Sequence, residues 1–258
     1  MSRDIWDPDV YGRYAGERSR PFFELLARVA ADDPDYVVDA GCGSGELTSE
    51  LARRWPRATV EGFDSSPAMI TKARALDAAP RFTVADVTTW HPDRPVDVIV
   101  SNAVLQWVPE HRDVIERWIT ALSPGGWLAF QVPGNHDAPS HAAIRALCGS
   151  PAWSDRLGDY DRGAPVGPAT EYLDLLGGCS RVDAWETTYV HVLDAPKGEN
   201  PVLNWVSGTA LRPILDRLRP DEAKRFTAEL AERFEEAYPA RDFGTPFPFR
   251  RIFVVAQK

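Results

Sequence analysis

The sequence predicts a doubly wound α/β fold: a seven-stranded, mostly parallel sheet with helices on both faces and a helical cap inserted late in the chain. Three observations predict it. Strand-like and helix-like segments alternate at short spacing through the first half. The first strand runs directly into a glycine-rich turn, Gly41-Cys42-Gly43-Ser44-Gly45, that opens a helix. The second half changes rhythm and adds two strands separated by a helical stretch, which brings the total to seven.

The elements follow in order. Arg20 to Ala31 reads as a helix with Phe22, Phe23, Leu26, Val29 and Ala30 as its apolar stripe. Tyr36 to Ala40 is the first strand, and Glu46 to Trp55 a helix stopped by Pro56. Ala58 to Asp64 is the second strand, and Ser66 to Ala75 a helix with Pro67 suited to its first turn. Arg81 to Asp86 is the third strand, and the apolar run VDVIVSN, Val96 to Asn102, the fourth. A helix over Pro109 to Leu122 leads through a Pro124-Gly125-Gly126 turn into the fifth strand, Trp127 to Pro133. Asn135 to Gly178 reads as helix and loop, and Arg181 to Leu193 as an aromatic, β-branched strand. Asn200 to Tyr238 is helical, with Pro213 and Pro220 as breakers, and Arg250 to Ala256 is the last strand. The whole is read as one domain over residues 1–258, with residues 200–238 as a cap insertion within it.

Composition narrows the function classes. A net charge of −9 with no basic run disfavours nucleic acid as a partner. No stretch approaches the roughly 20 apolar residues of a membrane span, and the first residues, MSRDIWDPDVYGRY, do not read as a signal peptide. Three scattered cysteines, Cys42, Cys148 and Cys179, suit a reducing compartment without a disulfide framework. The expectation is a cytoplasmic protein, monomeric or weakly dimeric. His91, His111, His136, His141 and His191 have no metal-ligand spacing, so no metal is expected.

The spacing of the glycine turn carries the chemistry. Glycine lets backbone approach a ligand where a Cβ would clash. The dinucleotide fingerprint is G-x-G-x-x-G, and Glu46 stands where its third glycine would be. The chain instead reads G-x-G-x-G, with Asp39 two residues before Gly41. Asp64 ends the second strand, where an acid in a doubly wound fold accepts hydrogen bonds from ribose hydroxyls. Capping the following helix is the alternative role.

The glycine pattern with Asp39 resembles motif I of class I S-adenosylmethionine-dependent methyltransferases, which have a Rossmann-like sheet. More specific segments extend the resemblance over nearly the whole chain: Trp6-x-Pro8-x-x-Tyr11, Glu17-Arg18-Ser19-Arg20-Pro21, Asp64-Ser65-Ser66-Pro67-Ala68-Met69 and Asn102-Ala103-x-Leu105-Gln106-Trp107. Gln131-x-Pro133-x-Asn135, Pro139-Ser140-His141, Thr187-Thr188-Tyr189-x-His191, Trp205-Val206, Leu211-Arg212-Pro213 and Arg251-x-Phe253-x-Val255-Ala256 complete it. These are similar to the trans-aconitate 2-methyltransferase family. One departure is Ser44, where related sequences often carry proline.

The resemblance implies S-adenosyl-L-methionine as cofactor, held by Asp39, Gly41, Gly43, Gly45, Asp64, Ser65, Met69, Asp86, Val87 and Asn102. Asp86 would accept from the adenine amine while the Val87 backbone meets the ring; a surface-turn aspartate is the alternative. Asn102 would lie along the methionine end. The acceptor would be trans-aconitate or a similar small polyanion, held by Tyr11, Arg20, Gln106, Trp107, Tyr189, His191, Arg212 and Arg251. Arginine suits this because its planar fork pairs with carboxylates, though a surface salt bridge is as economical for any one of them. A carboxylate nucleophile is ionised at neutral pH, so no catalytic base is expected. Other readings are a methyltransferase for another small acceptor, a nicotinamide-dependent oxidoreductase, and a non-catalytic ligand sensor.

Overall fold

The computed structural model describes residues 15–76, 79–160, 166–194, 196, 198–208 and 210–258. Among them are seven strands: β1 (Tyr36–Ala40), β2 (Thr59–Asp64), β3 (Arg81–Val84), β4 (Val96–Asn102), β5 (Leu122–Pro133), β6 (Arg181–Leu193) and β7 (Thr245–Gln257). They form one sheet in the order β3-β2-β1-β4-β5-β7-β6. The first five are parallel, and β7 runs antiparallel to β5 from Trp127↔Gln257 to Pro133↔Arg251. The seven-stranded, mostly parallel sheet expected from the sequence is therefore present. Strand order reverses between β1 and β4, and in such sheets ligands bind beyond the carboxyl ends of the strands flanking that point.

The intervening helices are α1 (Ala15–Leu26), α2 (Glu46–Arg54), α3 (Pro67–Arg74), α4 (His111–Ala121), α5 (Pro139–Cys148), α6 (Ser154–Leu157), α7 (Ala169–Leu175), α8 (Pro201–Ser207), α9 (Arg212–Leu215) and α10 (Pro220–Ala237). The chain divides into two compact units. The first takes the described residues up to Gly134 together with 166–187 and 251–258; the second takes those within 135–165 and 188–250.

In the first unit, alternate strand residues explain why the sheet is central. Tyr36, Val38, Ala40, Ile99, Leu128, Phe130, Val132, Ile252 and Val254 pack with Val114, Ile115 and Trp118 of α4 and Tyr172 of α7. The residues between them, Val37, Val98, Val100, Ala129, Phe253 and Val255, are just as buried. Side chains alternate faces along a strand, so both faces are covered and the strands read as unbroken apolar runs. Each fully buried side chain of this size contributes about 1.5–3 kcal/mol. One polar contact sits inside this core: His111 Nε2 lies 3.1 Å from the Tyr172 hydroxyl, with both residues buried. In the second unit α10 buries Phe226, Leu230 and Phe234, four residues apart on one stripe, and packs on α5 and α8. Trp153 meets Phe226 edge-on at 5.2 Å between ring centroids.

Several elements differ from the sequence expectation, among them β3, which ends at Val84 and so leaves Asp86 beyond the strand. The first helix runs Ala15–Leu26 with Pro21 inside it; it buries Phe22, Leu25 and Leu26, and Val29 is buried just beyond its end. Phe23 is 46% exposed and Ala30 also faces out. The Pro124-Gly125-Gly126 segment lies within β5 as a bulge, because Val96 pairs with Leu122 while Val98 pairs with Trp127. Strand β7 begins at Thr245, five residues early, and takes in Pro246 and Pro248.

Candidate functional site

The site is built at the carboxyl ends of β1, β2 and β4, all in the first unit. The chain leaves β1 through three glycines, at φ +80° (Gly41), +55° (Gly43) and +86° (Gly45), in the left-handed region that other residues seldom adopt. The amides of Gly41 and Cys42 both donate to the Phe63 carbonyl of β2, at 2.8 and 2.9 Å. Gly45 then serves as N-cap of α2. Space dictates two of the three glycines independently of φ. A Cβ at Gly41 would drive into the Val104 isopropyl group, and one at Gly45 would sit 2.8 Å from the Phe82 ring. A Cβ at Gly43 would meet nothing within 4 Å.

Three carboxylates surround this turn or continue its edge. Asp39 is 3% exposed and accepts the Thr48 hydroxyl at 2.6 Å. Burial pushes its carboxyl up to about 7; the Thr48 hydrogen bond opposes the rise and the Asp64 charge adds to it. Asp64, half-buried at the end of β2, accepts from the Gly43 amide at 3.0 Å through one oxygen and from the Ser66 amide at 2.9 Å through the other. It therefore both ties down the glycine turn and supports the start of α3, whose N-cap is Ser66, accepting from the Met69 amide at 3.2 Å. Ser65 is exposed and Met69 buried, the latter 5% exposed on α3. Asp86 is exposed beyond β3; one of its oxygens accepts the Thr88 amide at 2.8 Å and hydroxyl at 2.7 Å. Its other oxygen is left for a different donor, and Val87 beside it is buried. Cys42 is buried and its thiol is pushed up by burial and the neighbouring acids, so it stays protonated.

Beyond β4 the chain makes a second tight passage. Ala103 has φ +58°, the one non-glycine residue with positive φ among the described residues. Its amide donates to the Gln131 carbonyl at 2.9 Å, and its carbonyl accepts from Gln106 Nε2 at 2.7 Å. Gln106 Oε1 is buried with no hydrogen-bond partner. Trp107 follows on the same short turn and is 45% exposed. Asn102, half-buried, accepts from Gln131 Nε2 at 2.6 Å, and Gln131 Oε1 accepts from Arg251 at 3.1 Å. Gln131 and Arg251 are 0% and 5% exposed. The structure thus joins Asn102 and Arg251, named from the sequence for different ligands, through a residue that had no assigned role. The signal for Gln131 is present in the sequence: it is the one side chain in the apolar run WLAFQV of β5 that both donates and accepts hydrogen bonds. A glutamine buried there without partners would cost about 1–3 kcal/mol.

The remaining candidates lie on other elements. Arg20 is on the surface of α1 and pairs with Glu24 at 2.8 Å. In the second unit Tyr189 and His191 share one face of β6, with rings stacked at 6.2 Å, and His191 stacks on Trp205 at 4.8 Å. Arg212, half-buried in the first turn of α9, has no salt bridge among the described residues. Tyr11 lies outside the described residues.

Comparison with known proteins bears on the whole chain. A family model described as a methyltransferase domain matches residues 14–217. The trans-aconitate 2-methyltransferase of Rhodococcus jostii is 53% identical, covering 98% of this chain and 99% of its own. Proteins of the same name from Streptomyces avermitilis and Mycobacterium tuberculosis are 50% and 48% identical, each covering 98% of this chain and 97% of its own. Among solved structures, the plantazolicin methyltransferase BpumL in complex with SAH has a TM-score of 0.51 at 15% identity, covering 97% of this chain and 90% of that one. The YcgJ protein of Bacillus subtilis reaches 0.57 at 15% identity, with 93% and 98% covered. These two establish the shared fold.

Proposed function

This chain belongs to the trans-aconitate 2-methyltransferase family of methyltransferase-domain proteins, and on that premise we propose that it transfers the methyl group of S-adenosylmethionine to a carboxylate oxygen of trans-aconitate, forming the monomethyl ester. The observation that carries the reading is identity of about half over the entire length, joined to a glycine turn at the point where strand order reverses.

The residues present fit that cofactor. Gly43 offers open space beside its Cα, where backbone can lie against a ligand. Asp64, at the end of β2, would take the ribose hydroxyls, and Asp86 with the Val87 backbone would take an adenine edge. Ser65 and Met69 would flank the ribose side, while Asp39, Gly41, Gly45 and Asn102 would shape the methionine side. When bound, S-adenosylmethionine supplies a methyl on a sulfonium that departs as a neutral thioether. The chain's own task is placement. A carboxylate is ionised at neutral pH and needs no general base. It must instead be held within about 3–3.5 Å of the methyl, in line with the leaving sulfur. Exclusion of water favours the step, since opposite charges neutralise each other as it proceeds.

For the acceptor, Gln106, Trp107, Tyr189, His191, Arg212 and Arg251 are the proposed residues, on the strength of the resemblance of their segments to the family. Arg20 and Tyr11 remain candidates on resemblance alone. Residues 200–238, the proposed cap, contribute Arg212. We further propose a cytoplasmic enzyme, monomeric or weakly dimeric, acting without nucleic acid or membrane; among the described residues no helix is long and apolar enough to cross a bilayer.

Incubation with methyl-labelled S-adenosylmethionine and trans-aconitate should give a base-labile labelled ester. No ester at saturating trans-aconitate, or a faster reaction with another polycarboxylate, would overturn the acceptor assignment. If Arg212 grips a substrate carboxylate, Arg212→Ala should raise the Michaelis constant for trans-aconitate at least tenfold while cofactor affinity holds, on the order expected for a lost charge-assisted hydrogen bond. Equal loss of both would remove it from the substrate set.

A further inference from the structure

We propose that Gln131 is a positioning residue that dictates which end of the Asn102 amide is presented to ligand, with Arg251 dictating the orientation of Gln131. The inference rests on the methyltransferase reading above and deepens it.

A guanidinium has only donors. Arg251 therefore compels Gln131 to turn Oε1 toward it, across 3.1 Å. The Gln131 amide then has only its Nε2 end to offer on the other side. It donates to Asn102 across 2.6 Å, so Asn102 must meet it with Oδ1. The other end of the Asn102 amide, Nδ2, is consequently turned away from Gln131 as a hydrogen-bond donor. Whichever way the amides are drawn, the direction of this relay is set by the one group in it that cannot accept.

Strand geometry makes the relay rigid. Asn102 of β4 and Gln131 of β5 are register partners, and Arg251 of β7 is the partner of Pro133, two residues along β5. The three side chains thus come from three adjacent strands. Gln131 and Arg251 are both buried. The Gln131 carbonyl also holds the amide of Ala103, at φ +58°, so the same residue fixes backbone and side chain at the end of β4.

A donor fixed at this place suits a carboxylate oxygen. Two sources carry one: the methionyl end of the cofactor and the acceptor. A chain whose residue 131 could only accept would force Asn102 to turn Nδ2 inward and face the ligand carboxylate with Oδ1.

Gln131→Glu makes that change. Glutamate keeps the shape and the bond from Arg251 but offers no donor to Asn102. Affinities of the full-length protein for S-adenosylmethionine and for decarboxylated S-adenosylmethionine are read by calorimetry, and the Michaelis constant for trans-aconitate by ester formation. Melting temperature serves as the control for folding. Weakening by about tenfold to a hundredfold is expected for the carboxylate-bearing ligand. If the cofactor carboxylate is the partner, S-adenosylmethionine weakens and its decarboxylated form does not. If the acceptor carboxylate is the partner, the Michaelis constant rises and both cofactor affinities hold. Unchanged values throughout, or equal weakening of both cofactor forms, would overturn the proposal. Should Gln131→Glu fail to fold, Gln131→Met replaces it; removing the relay without inverting Asn102 should give the same selectivity with a smaller loss, and no selectivity would refute the idea. Wild-type protein that binds neither cofactor nor trans-aconitate would instead defeat the methyltransferase reading itself.

Discussion

Substituting Gly41 by alanine puts the geometry of the β1 turn to a quantitative test. Two costs are separable there. At φ +80° an alanine sits in the left-handed region, at about 1–2 kcal/mol. Its Cβ would also overlap the Val104 side chain, coming within 2.9 Å of Cγ1 and closer to Cγ2. Overpacking of this kind adds about 1–3 kcal/mol. The sum, about 2–5 kcal/mol, is a large part of the net stability of about 5–15 kcal/mol usual for a folded domain. Gly43→Ala is the matched control, because φ is +55° and a Cβ there meets nothing within 4 Å. It should pay the backbone cost alone. Urea unfolding of Gly41→Ala, Gly43→Ala, Val104→Ala and the Gly41→Ala/Val104→Ala double variant completes a cycle. The coupling between positions 41 and 104 should be about 1–3 kcal/mol in favour of the double variant. Gly41→Ala no more destabilising than Gly43→Ala, or a coupling near zero, would refute the claim that Val104 compels a glycine at 41.

Asp39 predicts a pH dependence. Burial raises it to about 7, so between the unfolded value near 4 and about pH 7 the folded chain retains a proton that the unfolded chain has lost. Stability should fall as pH rises across that window, by roughly 4 kcal/mol at most, and level off above it. Asp39→Asn should flatten that part of the profile in urea titrations from pH 4.5 to 8; an unaltered slope would show that another group is responsible. In the core, Tyr172→Phe leaves His111 Nε2 without its hydroxyl partner and should cost about 1–3 kcal/mol. Thermal unfolding indistinguishable from wild type would contradict that bond.

What was legible in the sequence follows from how each segment is buried. β1, β4 and β6 were readable to the residue, since unbroken apolar or β-branched runs bounded by Gly, Asp and Asn leave little choice of ends. Phe23 misled the reading of α1: its hydrophobicity places it on the stripe, while the 3.6-residue period puts Leu25 there instead. The β5 bulge was hidden because Pro124-Gly125-Gly126 is equally the signature of a turn. Pro246 and Pro248 masked the start of β7, since proline in a run argues against a strand. At the site, the three glycines and the strand-end acids could be placed because local chain geometry demands them. The link from Asn102 through Gln131 to Arg251 could not, since it depends on strand order 4-5-7, a pairing between residues more than a hundred positions apart.

That strand order also bears on biosynthesis. Strand β6 leaves the ribosome before β7, yet its place in the sheet lies outside β7, with β5 on the far side. Until the segment containing Ile252–Ala256 has been translated, β5 presents an unpaired edge of almost wholly buried-type residues, Trp127–Val132, and β6 has no neighbour to hold it. Unpaired apolar edges are templates for association with other chains. The nascent protein therefore has an exposed sticky seam from the translation of β5 to that of β7, and its yield in cells should depend on chaperone capacity and on how fast translation carries β7 into the gap.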